Sequence, residues 1–308
     1  MNRYYSLGDY LKKRFNKKVY KITLDGGFTC PNRDGTVAEG GCTYCAPDAV
    51  RPRGLSAETT VTAQLDKGVT WVGTRYGADS FIAYFQMGSN TYAPVDKLRS
   101  LYTEALSHPK VVGISVSTRP DCITEEILDL IEELSKRTEL WLELGLQSSN
   151  DVTLKRINRG HTSDAFKDAA RGATARGIKV TAHLIVGLPG ETREDQLRTI
   201  DFISDLDIWG VKFHQLQIVK GTHMEEAYNR GEITLQGLEE YAHVVVECLE
   251  HLSPETVIHR LSGDTPRELL VAPRSSGDRL EISRRIEELL EERDTHQGTS
   301  YKNRKATS

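Results

Sequence analysis

Short apolar runs alternate with amphipathic stretches along most of this chain, and that alternation leaves few folds open. Strand-like segments fall at 19–24, 80–86, 111–117, 141–148, 179–190 and 210–219. They are rich in β-branched and aromatic residues, and most run into Gly, Pro or polar residues. Helical spacing fills the intervals at 57–75, 95–107 and 124–136, and again after Thr162 and Thr192. Thr192 with Asp195 three residues on is close to a capping box. Val-Val-Gly-Ile-Ser-Val-Ser (111–117) is mostly apolar on both faces, as a strand covered on both sides should be. Six strand–helix units imply parallel strands joined by right-handed crossovers. The fold class is therefore α/β, a partial (β/α)6 barrel whose loops after the strands line one face.

The flanks read differently. Residues 1–18 form an N-terminal basic arm with Lys12, Lys13, Arg14, Lys17 and Lys18, and the barrel covers 19–222. A C-terminal α/β extension spans 223–294, with a helix at 235–252, a strand at 257–261 and a final charged helix at 278–293. Residues 295–308 are polar and are expected to be disordered.

Composition excludes some classes. No run of eighteen apolar residues exists, and Met-Asn-Arg-Tyr-Tyr has no signal-peptide apolar region, so the expectation is a cytoplasmic protein with no membrane partner. Five cysteines, three of them clustered, fit reducing surroundings rather than a disulfide scaffold. A net charge of −4 gives no global attraction to nucleic acid. The basic arm is read either as a solvated helix face or as a phosphate-contacting patch guiding a polyanion to the barrel mouth.

The first strand delivers the chain into a loop that carries the chemistry. Cys30, Cys42 and Cys45 stand in a C-x11-C-x2-C spacing among Pro31, Gly35, Gly40 and Gly41. A structural zinc site closes its tetrahedron with a fourth Cys or His, and none lies in or near the loop. Electron-transfer iron–sulfur clusters also usually take four cysteines. Three ligands on a four-iron cluster leave one iron open for reaction. A zinc site completed by a distant His and an oxidised cysteine pair are the alternatives. Cys122, after a turn, and Cys248, on an apolar helix stripe, are read as inert.

This loop, with aromatic Tyr44 inside the last C-x-x-C, resembles that of radical S-adenosylmethionine (SAM) enzymes. The long first gap departs from their commonest C-x3-C-x2-C spacing and resembles the branch containing the Elongator catalytic subunit. Over the full length the chain looks like small bacterial proteins of the YhcC/YtqA type. The resemblance implies a radical SAM barrel with a [4Fe-4S] cluster and S-adenosyl-L-methionine as cofactors. It implies reductive cleavage of SAM to a 5′-deoxyadenosyl radical that abstracts hydrogen from a substrate, and an electron donor such as flavodoxin or ferredoxin. It suggests tRNA as substrate, with a small metabolite or a protein as the other enzymatic reading. A non-catalytic zinc-stabilised binding module is the reading from another class.

The same resemblance assigns site residues. Gln86 and Gly88 occupy the segment that holds the methionine amino group, although the family's Gly-Gly-Glu letters are missing. Gln147 matches a position that reaches the ribose, and Arg159 one that meets the methionine carboxylate, where a planar guanidinium suits. His183 stands where relatives place a polar side chain on the ribose, and Leu184–Pro189 resembles the adenine-binding strand. Glu143 is read both as a cofactor ligand and as a buried acid paired with Arg159 or Arg119. His161 is read as finishing a helix entry and His214 as an outward strand residue. Arg260–Pro266 resembles a segment near the substrate in the Elongator branch.

Overall fold

Each sequence-read strand is present in the computed structural model, which describes residues 2–47, 59–263, 265–274 and 279–302. Strands β1 (Val19–Leu24), β2 (Ser80–Phe85), β3 (Val111–Thr118), β4 (Glu139–Gln147), β5 (Lys179–Val186) and β6 (Gly210–Gln215) pair in chain order, all parallel. The crossovers are α2 (Val61–Tyr76), α3 (Val95–Ser107), α4 (Glu125–Ser135), the pair α5 (Asp151–Arg156) and α6 (Ser163–Ala175), and α7 (Arg193–Ser204). Residues 57 and 58, expected to open α2, lie outside the described residues. Threonine starts four of these helices: the hydroxyls of Thr60, Thr124, Thr162 and Thr192 accept from the amides of Ala63, Ile127, Ala165 and Asp195. Thr192 and Asp195 complete the capping box.

Alternation sorts the strands into two faces. Leu140, Leu142, Leu144, Val180, Ala182, Val211 and Phe213 point outward into the main core, with Leu65, Leu98, Ile131, Ala170 and Ile200 of the helices. The intervening positions face inward. Glu143 on β4 is bonded to Lys21 on β1 and to Lys212 on β6. In a flat sheet β1 would lie about 14 Å from β4, three strand spacings away. The sheet is therefore curled into a half-barrel.

The C-terminal part modifies the six-unit reading. After β7 (Ile218–Val219) and α8 (His223–Asn229), helix α9 (Leu238–His251) acts as a further crossover. It leads to β8 (Val257–Arg260), which pairs parallel with β6 as the seventh strand. The barrel sheet thus continues past residue 222, because Val257 and Ile258 bury against β6 instead of founding a separate layer. A small antiparallel pair, β7 with β9 (Leu270–Ala272), and α10 (Arg279–Glu292) follow.

Two expectations about the flanks are corrected. The basic arm forms α1 (Leu7–Phe15), and its Arg14 and Tyr10 reach Glu139, the first residue of β4. Tyr10 also meets Trp209 edge-on at 4.9 Å, immediately before β6. Helix α1 therefore covers the N-terminal ends of the strands, opposite the loops, and cannot guide a polyanion into the mouth. The polar tail is ordered at its start. Gln297 is buried, donates to the Ser253 and Thr256 carbonyls at 2.6 and 2.8 Å, and accepts from the Tyr5 amide. Residues 303–308 lie outside the described residues. Among the described residues no helix is long and apolar enough to cross a membrane.

Candidate active site

The cysteine loop leaves the C-terminal end of β1 and is tied down by the segment that follows α5. Thr43 donates its amide to the Ile157 carbonyl at 3.0 Å, Asn158 Nδ2 donates to the Gly41 carbonyl at 2.8 Å, and Asn32 Nδ2 to the Asn158 carbonyl at 2.7 Å. These bonds bring Arg159 to the thiols. Its Nη1 stands 3.5 Å from Cys42 Sγ, and its Nη2 donates to the Gly145 carbonyl at 2.6 Å. Arg119 holds the Arg159 carbonyl at 2.9 Å while gripping both oxygens of Asp121.

Burial pushes the Cys42 thiol up, but the Arg159 and Arg119 guanidiniums outweigh it and hold its pKa below the ordinary value. Cys45 is pushed up to about 11, first by burial and then by Cys42. Among the described residues no three His, Cys, Asp or Glu side chains converge to hold a single metal ion. A four-iron cluster spreads three cysteines over three irons and does not require that convergence. Two buried polar atoms at the loop lack partners, Arg159 Nε and Asn32 Oδ1. Three thiols, a buried guanidinium with an unused donor and a buried unused acceptor are a donor set that fits a cluster with a polar ligand beside it.

The other assigned residues approach this loop from the strand ends. Gly88 adopts φ +76°, and a Cβ there would run into the Phe28 carbonyl, so the turn after β2 lies against the backbone just before the cysteines. Ser89 donates its amide to the Thr29 carbonyl at 3.0 Å. Gln86 accepts from the Thr23 hydroxyl at 3.3 Å. The β4–β5 register slips between Gly145 and Gln147, and Gln147 has φ +77°. A left-handed non-glycine residue at a strand end stores about 1–3 kcal/mol, a feature concentrated at functional sites. Gly145 permits the grouping: a Cβ there would fall 2.5 Å from Arg159 Nη2 and 2.8 Å from Gln147 Nε2. His161 Nε2 lies 3.1 Å from the same Gly145 carbonyl, so it belongs to the site as well as to the helix entry.

Glu143 is the buried acid of one sequence reading, with different partners. It is fully buried, and neither Arg159 nor Arg119 touches it. Oε1 receives Lys21, the Ser115 hydroxyl at 2.7 Å and Trp141 Nε1 at 3.0 Å. Oε2 receives His183 at 2.7 Å and Lys212 at 2.9 Å. Burial would raise its pKa, yet Lys21 and Lys212 outweigh that and hold it well below the carboxylate range. Saturated in this way, Glu143 has no face left for a cofactor. His183 shares this inner layer, and its ring lies 5.4 Å from that of His214, which therefore points inward. Lys21, Tyr84 and Lys212 escaped the sequence reading, and His214 was read as facing outward. The available signal was a lone lysine at an inward position of a β-branched strand, which must meet an acid. Cys122 and Cys248 are buried and free, with thiol pKa values raised mainly by burial.

Residues 30–203 match the radical SAM superfamily and residues 208–292 the radical SAM C-terminal domain. The chain belongs to the radical SAM superfamily. It is 38% identical to the uncharacterized protein YtqA of Bacillus subtilis over 97% of this chain and 93% of that one. It is 41% identical to protein YhcC of Escherichia coli, over 86% and 85%. A more distant match is Elongator complex protein 3 of Saccharomyces cerevisiae, 27% identical over 59% of this chain and 33% of that protein. Among solved structures, archaeal Methanocaldococcus infernus Elp3 superposes with a TM-score of 0.70 at 18% identity. That match covers 91% of this chain and 64% of the other, just under two thirds of its length, and it shows the shared fold. Membership makes this protein a radical SAM enzyme with a [4Fe-4S] cluster and SAM as cofactors.

Proposed function

We propose that this radical SAM enzyme holds its cluster on Cys30, Cys42 and Cys45 and its SAM beside them, and acts on a substrate admitted into the half-barrel. When bound and reduced, the cluster and SAM supply a 5′-deoxyadenosyl radical that abstracts hydrogen. The observation that carries the reading is Arg159, buried, in contact with Cys42 Sγ and with its Nε unused. That donor suits the SAM carboxylate, the Gly88 turn offers backbone for the amino group, and Gln147 stands beside the guanidinium for the ribose. The Leu184–Pro189 segment is the expected adenine-side backbone. Glu143 leaves this set, and His183 faces the layer beneath it.

A flavodoxin- or ferredoxin-like donor would supply the electron. The resemblance to Elongator complex protein 3 keeps tRNA as one substrate class. An RNA substrate would have to use a surface other than α1, which lies at the far end of the barrel.

Arg159→Ala is expected to weaken SAM binding by roughly 1.5–3 kcal/mol, about ten- to a hundredfold, through loss of a charge-assisted contact. Gln147→Ala should cost less, as a neutral hydrogen bond does. Equilibrium dialysis of labelled SAM against cluster-loaded protein measures both. Wild-type affinity in both variants would refute this placement of the cofactor.

A further inference from the structure

A layer of charged side chains inside the half-barrel has no part in the cofactor reading. Lys21, Lys212, His183 and His259 come from four strands, and among the described residues the ion pairs they make all go to Glu143. Two ammonium groups thus share one carboxylate. Lys212 Nζ also lies 2.8 Å from the Tyr84 hydroxyl, and Arg260 Nη2 lies 2.9 Å from His214 Nδ1.

Burial and the neighbouring charges act together on these groups. His183 is pushed down to about 3 by burial and then by Lys212, against the pull of Glu143. Lys212 is itself brought down to about 7, by burial first, with Arg260 and Lys21 adding to the fall against Glu143. The layer is not sealed, since the Lys21 side chain is 19% exposed and that of His183 12%. Glu143 cannot answer the surplus further because both its oxygens are saturated. Desolvated positive charge with an open approach is the condition under which an anion binds.

We propose that Lys212 and His214 anchor an anionic oxygen group of the substrate, a carboxylate or a phosphoryl group. The anchor places the remainder of that molecule between the inner layer and the cysteine loop. It rests on the radical SAM reading for its role, since β5 and β6 belong to the sheet whose β1 leads into the cysteine loop.

The test is calorimetric titration of cluster-loaded, SAM-bound protein with inorganic phosphate and, separately, with acetate, at constant ionic strength in chloride. Saturable binding of at least one of them near one per chain is expected. Phosphate alone would assign a phosphoryl group and acetate alone a carboxylate. Lys212→Gln should weaken that binding by about tenfold or more, as loss of a charge-assisted contact does. His214→Gln, which leaves the Lys212–Glu143 pair in place, should weaken it in the same direction, so the test survives a poorly folding Lys212 variant. Lys13→Gln on α1 should leave it unchanged.

Failure of both anions to bind, or undiminished binding in both the Lys212 and His214 variants, overturns the anchor. Iron content and SAM binding are read on the same samples. Anion binding in protein that takes up neither iron nor SAM would sustain the anchor and overturn the cofactor reading. Intact iron and SAM binding without anion binding would do the reverse.

Discussion

Protein carrying Cys42→Ala, reconstituted with iron and sulfide without oxygen, is expected to hold no four-iron cluster, while the wild-type chain holds about four irons. Cys30→Ala and Cys45→Ala should behave alike, because a cluster with three protein ligands has none to spare. In the wild-type protein Arg159 and Arg119 hold the Cys42 thiol toward the thiolate, the form that binds metal. Cys122→Ala and Cys248→Ala should keep the cluster, because burial holds both thiols protonated. Iron and sulfide analysis with the visible absorption spectrum measures each variant. Stoichiometric zinc without sulfide in the wild-type protein would instead favour the zinc-stabilised alternative.

Glu143→Gln should be the most damaging single change to stability outside the loop. It leaves Lys21 and Lys212 buried around a neutral amide, and breaking a buried ion pair from one side costs about 3–5 kcal/mol. Adding Lys212→Met to Glu143→Gln should recover part of the loss, because the two residues share one network. Acid should act on the wild-type protein in the same sense. The folded pKa of Glu143 lies below its unfolded value of about 4.3, so its contribution is present above that pH and is lost as pH falls through the folded pKa. Denaturant unfolding of the three proteins across pH checks both claims. Equal stability of wild type and Glu143→Gln would contradict the assignment of Glu143 as the hub of the inner layer.

What the sequence revealed, and what it concealed, follows from the range of the interactions. Threonine caps and period-two strands are local, so β1 to β6 and their helices could be read directly, as could a ligand set confined to Cys30–Cys45. Contacts between distant strands were not legible. Glu143 was assigned Arg159 or Arg119 as partner, whereas the curl of the sheet brings it Lys21 from 122 residues away and Lys212 from 69. The Gly145–Gln147 bulge breaks the alternation of β4, and no local residue pattern announces it. Helix α1 looked close to the cluster because only a few residues separate it from β1. A strand reverses that proximity, since it enters the barrel at one end and delivers the loop at the other.

With a reduced cluster on Cys30, Cys42 and Cys45, the protein would cleave SAM by one-electron reduction. The most direct measurement incubates the cluster-loaded protein with SAM and dithionite under anaerobic conditions and quantifies 5′-deoxyadenosine and methionine. Wild-type protein should form both in equal amounts, and Cys42→Ala should form neither. Protein that holds its full iron and sulfide and binds SAM, yet yields no 5′-deoxyadenosine, would contradict the account.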